Sequence, residues 1–331
     1  MVLKKKLLLL ALISITLLLV LGLFYSKNNS SISMKNEPID NMKLIVDKLS
    51  SEEFEGRLIG SKGNILTEKY INNIYSSIKL EPVLEKDFYH AYSYDPNLVP
   101  REEGKNPLET TANNIIGKIS GTNSNKAIIL SAHFDHLGKR KGEIYKGAVD
   151  NASGVATMLQ LALTLKNDSS SKAFKYDIVF AAFNGEEFGL TGSENFVNKI
   201  SDFYEDVINI NIDSIGYKDG GDVALFNTFK NPNEYKKINA NEEYIKLTNN
   251  VKSSLNDNGV NATKKDLGVG SDDFYFQKKD YTSISISEDN IRRIIHTPND
   301  TAEVIDYNRL ERVVNSVRDF INNHIDSEEV W

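Results

Sequence analysis

The stretch AIILSAHFDH at residues 127–136 is a nearly continuous apolar run that ends in two histidines and an aspartate. A second run, DIVFAAFNGEE at residues 177–187, has the same plan and ends in two glutamates. Apolar runs without polar alternation are typical of central strands that helices cover on both faces. The two segments therefore predict central strands of an α/β sheet.

Strands and helices alternate outward from this pair. Further short apolar strands are predicted at residues 114–119, 206–213, 223–226 and 282–287. Apolar residues at helical spacing predict helices at residues 40–49, 65–80, 152–165 and 309–325, and a polar segment at 50–64 separates the first two. This alternation favours an α/β fold with a mainly parallel sheet. A polar segment at 227–241 is interpreted as a surface insertion.

The N-terminus contains a candidate membrane segment. Residues 7–25 form an uncharged apolar run behind three lysines, and about 20 apolar residues suffice to cross a bilayer. The positive-inside rule places the lysines in the cytoplasm. We expect a signal anchor at 1–27, a polar linker at 28–38 and one domain at 39–331, held outside the cell by a single pass through the cell membrane. Cleavage of a signal peptide, which would release a secreted protein, is the alternative.

Composition limits the possible chemistry. The chain has no cysteine, so thiolate nucleophiles, thiolate metal ligands and disulfides are excluded. Any bound metal must use histidine and carboxylate. The net charge of −7 argues against a nucleic-acid partner.

Candidate metal ligands stand where the predicted strands end. They are His133, Asp150 in the loop GAVDNASG, one of Glu186 and Glu187, Asp213, and His296. In open parallel sheets, sites form beyond the carboxyl ends of the strands, so we expect these distant residues to converge. Asp135 is placed to accept the second ring proton of His133 and fix its tautomer. The remaining histidines are left out of the site as outer or surface groups: His90, His136 and His324.

These motifs together resemble peptidase family M28. The resemblance rests on the order HxDH, GAxDNASG, FNGEE, NIDSIG, SD and IHTPNDT, and extends to SEEFEGRLIGSKG at residues 51–63. It implies the zinc exopeptidase fold, which is phosphorylase/hydrolase-like: three α/β/α layers around a mixed, mainly parallel central sheet.

The resemblance also implies roles for the site residues. One zinc ion would be held by His133 and Asp213, and a second by Glu187 and His296. Asp150 would bridge the two ions, and its peptide bond to Asn151 would be cis. Asp135 would orient His133, and Glu186 would act as general base.

The implied activity is that of a zinc-dependent aminopeptidase with peptide substrates. The alternatives are a single-zinc glutaminyl-peptide cyclase and a non-catalytic receptor domain on a peptidase fold. Two features depart from familiar family members: a tyrosine is missing before SD and before His296, and Asp273 replaces the histidine of the usual SDH motif. Tyr275 and Tyr281 are the candidates to replace the missing tyrosine.

Overall fold

The computed structural model describes residues 34, 37–100, 110–227, 241–265 and 270–324. Three expectations lie outside these residues: the membrane anchor at 1–27, most of the linker at 28–38, and the interior of the insertion at 227–241. Within the described part of the chain, no helix is both long and apolar enough to cross a bilayer.

A mixed β-sheet forms the centre of the domain. Its strands are β1 (Glu81–Pro82), β2 (Tyr89–Ser93), β3 (Thr111–Ile119), β4 (Lys126–His133), β7 (Asp177–Phe183), β8 (Asp206–Ile212), β9 (Val223–Phe226), β10 (Ala262–Lys264) and β11 (Thr282–Glu288). The spatial order is β1-β3-β7-β4-β8-β11-β9-β10, with β2 also paired to β3. Strands β7, β4, β8 and β11 are parallel to one another. Their neighbours β3 and β9 are antiparallel to them. A separate hairpin joins β5 (Lys139–Arg140) to β6 (Glu143–Ile144).

Helices cover both faces of this sheet and confirm the predicted three-layer α/β/α architecture. They are α1 (Pro38–Leu49), α2 (Lys62–Ser77), α3 (Gly154–Ser169), α4 (Thr191–Ile200), α5 (Glu242–Asp257), α6 (Asp273–Lys278) and α7 (Tyr307–His324). Helices α1, α3 and α7 pack on one another, and α3 also packs on β4, β7 and β8. Helix α1 begins with Pro38, whose missing N–H costs nothing at a helix start. Ser61 caps α2 by accepting a hydrogen bond from the Asn64 amide at 3.2 Å.

The second face is packed by aromatic residues. Phe183 at the end of β7 contacts Phe196 of α4, with ring centroids 5.2 Å apart. Phe276 of α6 lies 6.1 Å from Phe196, and all three rings are fully buried. This cluster fixes the position of the C-terminal end of β7, which the two glutamates follow.

Strand β8 alternates isoleucine with asparagine, and its buried amides are satisfied across the sheet. Asn209 donates to Ser131 of β4 at 2.9 Å and accepts from Ser283 of β11 at 2.7 Å. Asn211 accepts from Ser131 at 2.9 Å and donates to Ser285 at 3.1 Å. Because a buried polar group without a partner costs free energy, this ladder fixes the register of the three strands.

Several elements were not predicted from the sequence: strands β2 and β10 and helices α4, α5 and α6. Strand β10 and helix α6 are only three and six residues long, which is too short to show a period. The segment at 50–64, interpreted as a polar spacer, contains a 3₁₀ turn at Glu52–Arg57 and buries Phe54, Arg57 and Ile59. The burial of Arg57 was not predicted, because it is buried as a hydrogen-bond donor, which composition cannot reveal.

The aromatic cluster gives a stability prediction. Phe196→Ala removes a fully buried ring and leaves a cavity, so we expect the free energy of unfolding to fall by about 3–5 kcal/mol in urea titrations. Phe203→Ala is the matched control, because Phe203 is 41% exposed, and its effect should stay within about 0.5 kcal/mol. Equal effects of the two substitutions would contradict the packing described here.

Candidate metal centre

The candidate ligands meet at one edge of the sheet because the strands that precede them are parallel. His133 is the last residue of β4, the two glutamates follow β7 after Asn184 and Gly185, and Asp213 directly follows β8. His133 stands opposite Phe183 in the β4–β7 register, so the ends of these strands are level. Asp150 approaches the same edge from the turn that precedes α3. The structure thus brings together all five predicted ligand positions.

Three of these residues form a first group that could hold a metal ion: His133, Asp150 and Asp213. The Nε2 atom of His133 lies 3.3 Å from Oδ1 of Asp150 and 3.4 Å from Oδ1 of Asp213. The His133 side chain is buried, and the Asp213 side chain is 14% exposed. Only nitrogen and oxygen donors face this space, which matches the ligand preferences of zinc.

A second group shares Asp150 with the first and adds His136, Glu187 and His296. Nε2 of His296 lies 3.1 Å from Oδ2 of Asp150 and 3.0 Å from Oε2 of Glu187. Asp150 therefore directs one carboxylate oxygen to each group, as a bridging ligand must. The side chain of His296 is 50% exposed, so this group is the one open to solvent.

The turn before α3 is shaped to present Asp150. The Asp150–Asn151 peptide bond is cis, which confirms the expectation from the family resemblance. Gly147 has φ of +57°, and a Cβ there would lie 2.6 Å from the ring of His136 and 2.3 Å from the carbonyl oxygen of Asp150. Only glycine fits this position, because it tolerates both the left-handed backbone and the close approach.

His136 was left out of the predicted site, whereas the structure buries it fully beside Glu187. Its Nδ1 atom lies 2.7 Å from Oε1 of Glu187, and its buried Nε2 atom has no hydrogen-bond partner. Because Nε2 has no partner, the free-energy cost of burying it is lower when it carries no proton. This geometry therefore favours a proton on Nδ1, which His136 donates to Glu187. The HxDH spacing held the sequence signal for this residue, because it places His136 three residues after His133, the last residue of β4.

Asp135 lies beside His133, but its carboxylate binds a different part of the site. The nearest acceptor to Nδ1 of His133 is the backbone oxygen of Asp135 at 3.3 Å, and the carboxylate is 3.8 Å away. The carboxylate accepts the backbone amides of Glu186 at 3.0 Å and Glu187 at 3.3 Å. Asp135 therefore links β4 to the glutamate turn.

Glu186 belongs to neither metal group. Gly185, with φ of +77°, turns the backbone after β7, so the two glutamates diverge and only Glu187 faces His136 and His296. Burial raises the pKa of the Glu186 carboxyl well above its usual value, and the charges of Asp213 and Glu187 raise it further against the opposing charge of His133. Such a carboxyl group holds a proton more readily than an ordinary glutamate.

The glutamate turn is anchored through Asn184. Asn184 exchanges two side-chain hydrogen bonds with Asn64 of α2, each 2.9 Å long. Its backbone amide donates to Asn114 of β3 at 3.0 Å, and its carbonyl accepts from Tyr92 of β2 at 2.6 Å. Residues of α2, β2 and β3 therefore fix the position of the turn that carries the two glutamates.

Ser271 of the SD motif forms a hydrogen bond to Asp213, whereas Asp273, which replaces the usual histidine, contacts other residues. Ser271 donates to Oδ2 of Asp213 at 2.7 Å. Asp272 is fully buried, neither of its oxygens has a hydrogen-bond partner among the described residues, and burial raises its pKa to about 7. Asp273 accepts from Ser285 of β11 at 2.9 Å and contacts Gln277 of its own helix.

Neither candidate tyrosine is placed at the metal groups. Tyr281 directly precedes β11 and therefore lies at the opposite edge of the sheet, near Asp206 at the start of β8. This rules out Tyr281 as the replacement for the missing tyrosine. Tyr275 packs against the aromatic cluster beside Glu194.

Hydrogen bonds and charges within the two ligand groups shift the pKa values of their members. Hydrogen bonds to Asp150 and Glu187 raise the pKa of His296 to about 10. Burial lowers the pKa of His133, but the charge of Glu186 and hydrogen bonds to Asp150 and Asp213 outweigh it and leave the value well above normal. Burial likewise opposes ionisation of Asp150, yet its bonds to the two histidines hold its pKa well below normal. The two ligand groups thus favour positive charge on the histidines beside Asp150.

Comparisons with known proteins point to one family. A family model described as Peptidase family M28 matches residues 114–321, more than half of the chain. The alkaline phosphatase isozyme conversion protein of Escherichia coli (strain K12) is 26% identical over 253 residues, which cover 72% of this chain and 69% of that protein. Aminopeptidase YwaD of Bacillus subtilis (strain 168) is 34% identical over 110 residues, or 32% of this chain and 22% of that protein.

The fold is shared with solved structures. The structure of BSAP, a zinc aminopeptidase from Bacillus subtilis, superposes with a TM-score of 0.64 at 17% sequence identity and covers 88% of this chain and 97% of that one. This likeness establishes the three-layer fold.

The raised histidine pKa predicts pH-dependent metal binding. Zinc must displace the proton of His296, so we expect zinc affinity to rise with pH between 6 and 9, by about tenfold per unit for each proton displaced. Competition with a chelating dye measures the slope, and calorimetry in buffers of different ionisation enthalpy counts the protons. His324→Gln, in the last turn of α7, is the control and should leave the slope unchanged. A pH-independent affinity would contradict the charged cluster.

Proposed function

The chain belongs to peptidase family M28, and we propose on that premise that it is a zinc-dependent aminopeptidase that binds two zinc ions. One observation supports this most directly: Asp150 directs its two carboxylate oxygens to two different ligand groups, and Glu186 lies beside both while belonging to neither. A site for a single ion needs no shared carboxylate.

We propose that the ligands divide as the family pattern implies. His133 and Asp213 would hold one zinc ion, Glu187 and His296 the other, and Asp150 would bridge. The donor set fits zinc, because catalytic zinc sites use imidazole and carboxylate donors. His136 completes the arrangement by donating to the carboxylate oxygen of Glu187 that does not face His296.

Glu186 is proposed as the general base. Zinc in such a site lowers the pKa of water from 15.7 to about 7. Glu186 is placed to take a proton at its carboxyl group and deliver it to the leaving amine, and its raised pKa suits both steps. Asp135 holds the backbone of Glu186 and so orients this carboxyl group.

The residues around the site favour a substrate with a free α-amine over one with a free carboxylate. Six carboxyl groups form or adjoin the two ligand groups: Asp135, Asp150, Glu186, Glu187, Asp213 and Asp272. A carboxypeptidase would need a free cation to bind the substrate carboxylate. Arg57 is buried and directs its guanidinium to backbone carbonyls, while Arg292 and Arg293 are exposed in a turn after β11. We therefore propose an aminopeptidase, whose substrate needs no such cation.

Residues 7–25 are proposed as the membrane anchor. The support is the uncharged apolar run preceded by Lys4, Lys5 and Lys6, which would leave the peptidase domain outside the cell.

Substitution of the two neighbouring glutamates separates their roles. Glu186→Gln should lower kcat by a factor of about 100 to 10,000 while leaving zinc content unchanged, because the residue lies outside both ligand groups. Glu187→Gln is the matched control and should lose zinc. Elemental analysis and peptide hydrolysis of both variants measure the two effects. Loss of zinc in parallel with activity in Glu186→Gln would make this residue a ligand instead.

Substrate panels separate the competing functions. We expect hydrolysis of unblocked peptides, no hydrolysis of N-acetylated ones, and complete loss of activity with a chelator. Cyclisation of N-terminal glutaminyl peptides with one zinc ion per chain would establish a glutaminyl cyclase. Zinc binding without either reaction would indicate a receptor domain. Mass spectrometry of the products and the zinc content decide between these outcomes.

A further inference from the structure

The backbone around Asp150 forms hydrogen bonds with a cationic side chain on one side and an anionic side chain on the other. We define the Asp150 loop as residues 146–151. The guanidinium of Arg57 contacts the carbonyl oxygens of this loop, and the carboxylate of Asp300 contacts its amides. Arg57 precedes α2, outside the residues that match the family model, and Asp300 follows β11. Side chains from distant parts of the chain thus converge on one turn.

Arg57 is fully buried, and its guanidinium donates only to backbone oxygens. Its Nη1 atom donates to Lys146 at 2.7 Å, and its Nη2 atom donates to Gly147 at 2.7 Å and Asp150 at 3.4 Å. Nε donates to Phe134 at 2.8 Å, which ties the loop to the end of β4. Among the described residues, no carboxylate lies within ion-pair distance of this guanidinium. A buried arginine that binds carbonyls instead of a carboxylate is positioning backbone.

Asp300 makes the complementary contacts. Its carboxylate accepts the Val149 amide at 2.6 Å and the Asp150 amide at 3.1 Å, and it is fully buried. Hydrogen bonds from backbone amides to a carboxylate are charge-assisted and therefore stronger than neutral ones. The peptide group before Asp150 is thus held at its N–H by the Asp300 carboxylate, and the peptide group after Asp150 at its C=O by the Arg57 guanidinium.

The charge of Arg57 also suits its location. Burial lowers its pKa to about 10, and the nearby carboxylates of Asp300, Asp150, Asp135 and Glu187 oppose that shift. The guanidinium therefore stays charged at neutral pH behind the acidic site. Lysine could keep this charge, but its three donors on one nitrogen cannot reproduce the planar fork that reaches five backbone carbonyls, three of them in the loop and the others at Leu49 and Phe134.

We propose that Arg57 and Asp300 act as a pair of positioning residues, which hold the Asp150 loop from opposite sides so that the Asp150 carboxylate lies between the two ligand groups. This inference rests on the proposed role of Asp150 as a bridging zinc ligand. It predicts that either residue controls zinc binding at both positions without touching the metal.

The test measures zinc binding, so it does not depend on finding the substrate. Arg57→Lys and Asp300→Asn should each lower zinc affinity by about 10- to 100-fold in dye competition, the range found for groups that orient metal ligands. The visible spectrum of the cobalt-substituted variants should shift, because the geometry of the bridging ligand changes. For active protein, kcat should fall more than KM rises.

Arg318→Lys is the matched control. Arg318 of α7 makes a two-pronged ion pair with Asp168, with both contacts 2.7 Å long, at the end of α3 remote from the site. This substitution loses the same fork geometry and should leave zinc affinity within twofold of the parent protein. A purely structural role of Arg57 would lower the stability of the metal-free and zinc-loaded proteins equally, whereas a positioning role lowers that of the zinc-loaded protein more.

The double variant completes the test. Because both residues act on one loop, the affinity loss in Arg57→Lys/Asp300→Asn should be smaller than the product of the two single losses. Zinc affinities within twofold of the parent for folded Arg57→Lys or Asp300→Asn would overturn the proposal, and if one variant fails to fold, the other decides. If the variants lose zinc affinity as expected but the parent protein hydrolyses no peptide, the proposed enzyme activity is refuted and this inference stands.

Discussion

The burial of a cluster of carboxylates is the constraint on which the rest of this structure depends. Parallel strands bring their carboxyl ends to one edge, and acidic side chains follow three of them. Without compensation, burial and the charges of neighbouring carboxylates would raise the pKa of every member, as they do for Glu186 and Asp272. Asp150 instead stays ionised because two histidines bond to it. Metal cations would replace those protons, so the cluster is a site that requires positive charge.

The ligand edge is positioned by residues that never touch it. Asn64 holds Asn184, and through it the glutamate turn, while Arg57 and Asp300 hold the loop of Asp150. Asp135 links the glutamate turn to the end of β4 by accepting the amides of both glutamates. Most of these contacts are to backbone atoms. The side chains that would bind zinc thus extend from a rigid frame, which keeps the cost of ordering them low when metal binds.

The division between Glu186 and Glu187 shows how adjacent residues acquire different chemistry. Gly185 turns the chain so that Glu187 faces His136 and His296, where hydrogen bonds lower its pKa against the effect of burial. Glu186 faces away from these donors, and burial raises its pKa. One carboxylate is therefore suited to a cation and the other to a proton, which is the pairing that metal-assisted hydrolysis of a peptide bond requires.

The sequence by itself determined the fold class, the central strands and the convergence of His133, Asp150, the pair Glu186 and Glu187, Asp213 and His296, because continuous apolar runs and strand-end positions are local patterns. The choice of Glu187 as the ligand of that pair came from the family resemblance. It did not reveal His136 or Arg57, which composition places among ordinary polar residues, and it misassigned Tyr281. Tertiary structure alone decided these, since a side chain's role depends on what lies opposite it across the fold. The burial of Arg57 against five backbone carbonyls arises only when α1, the end of β4 and the Asp150 loop have packed together, and no spacing in the sequence encodes that contact.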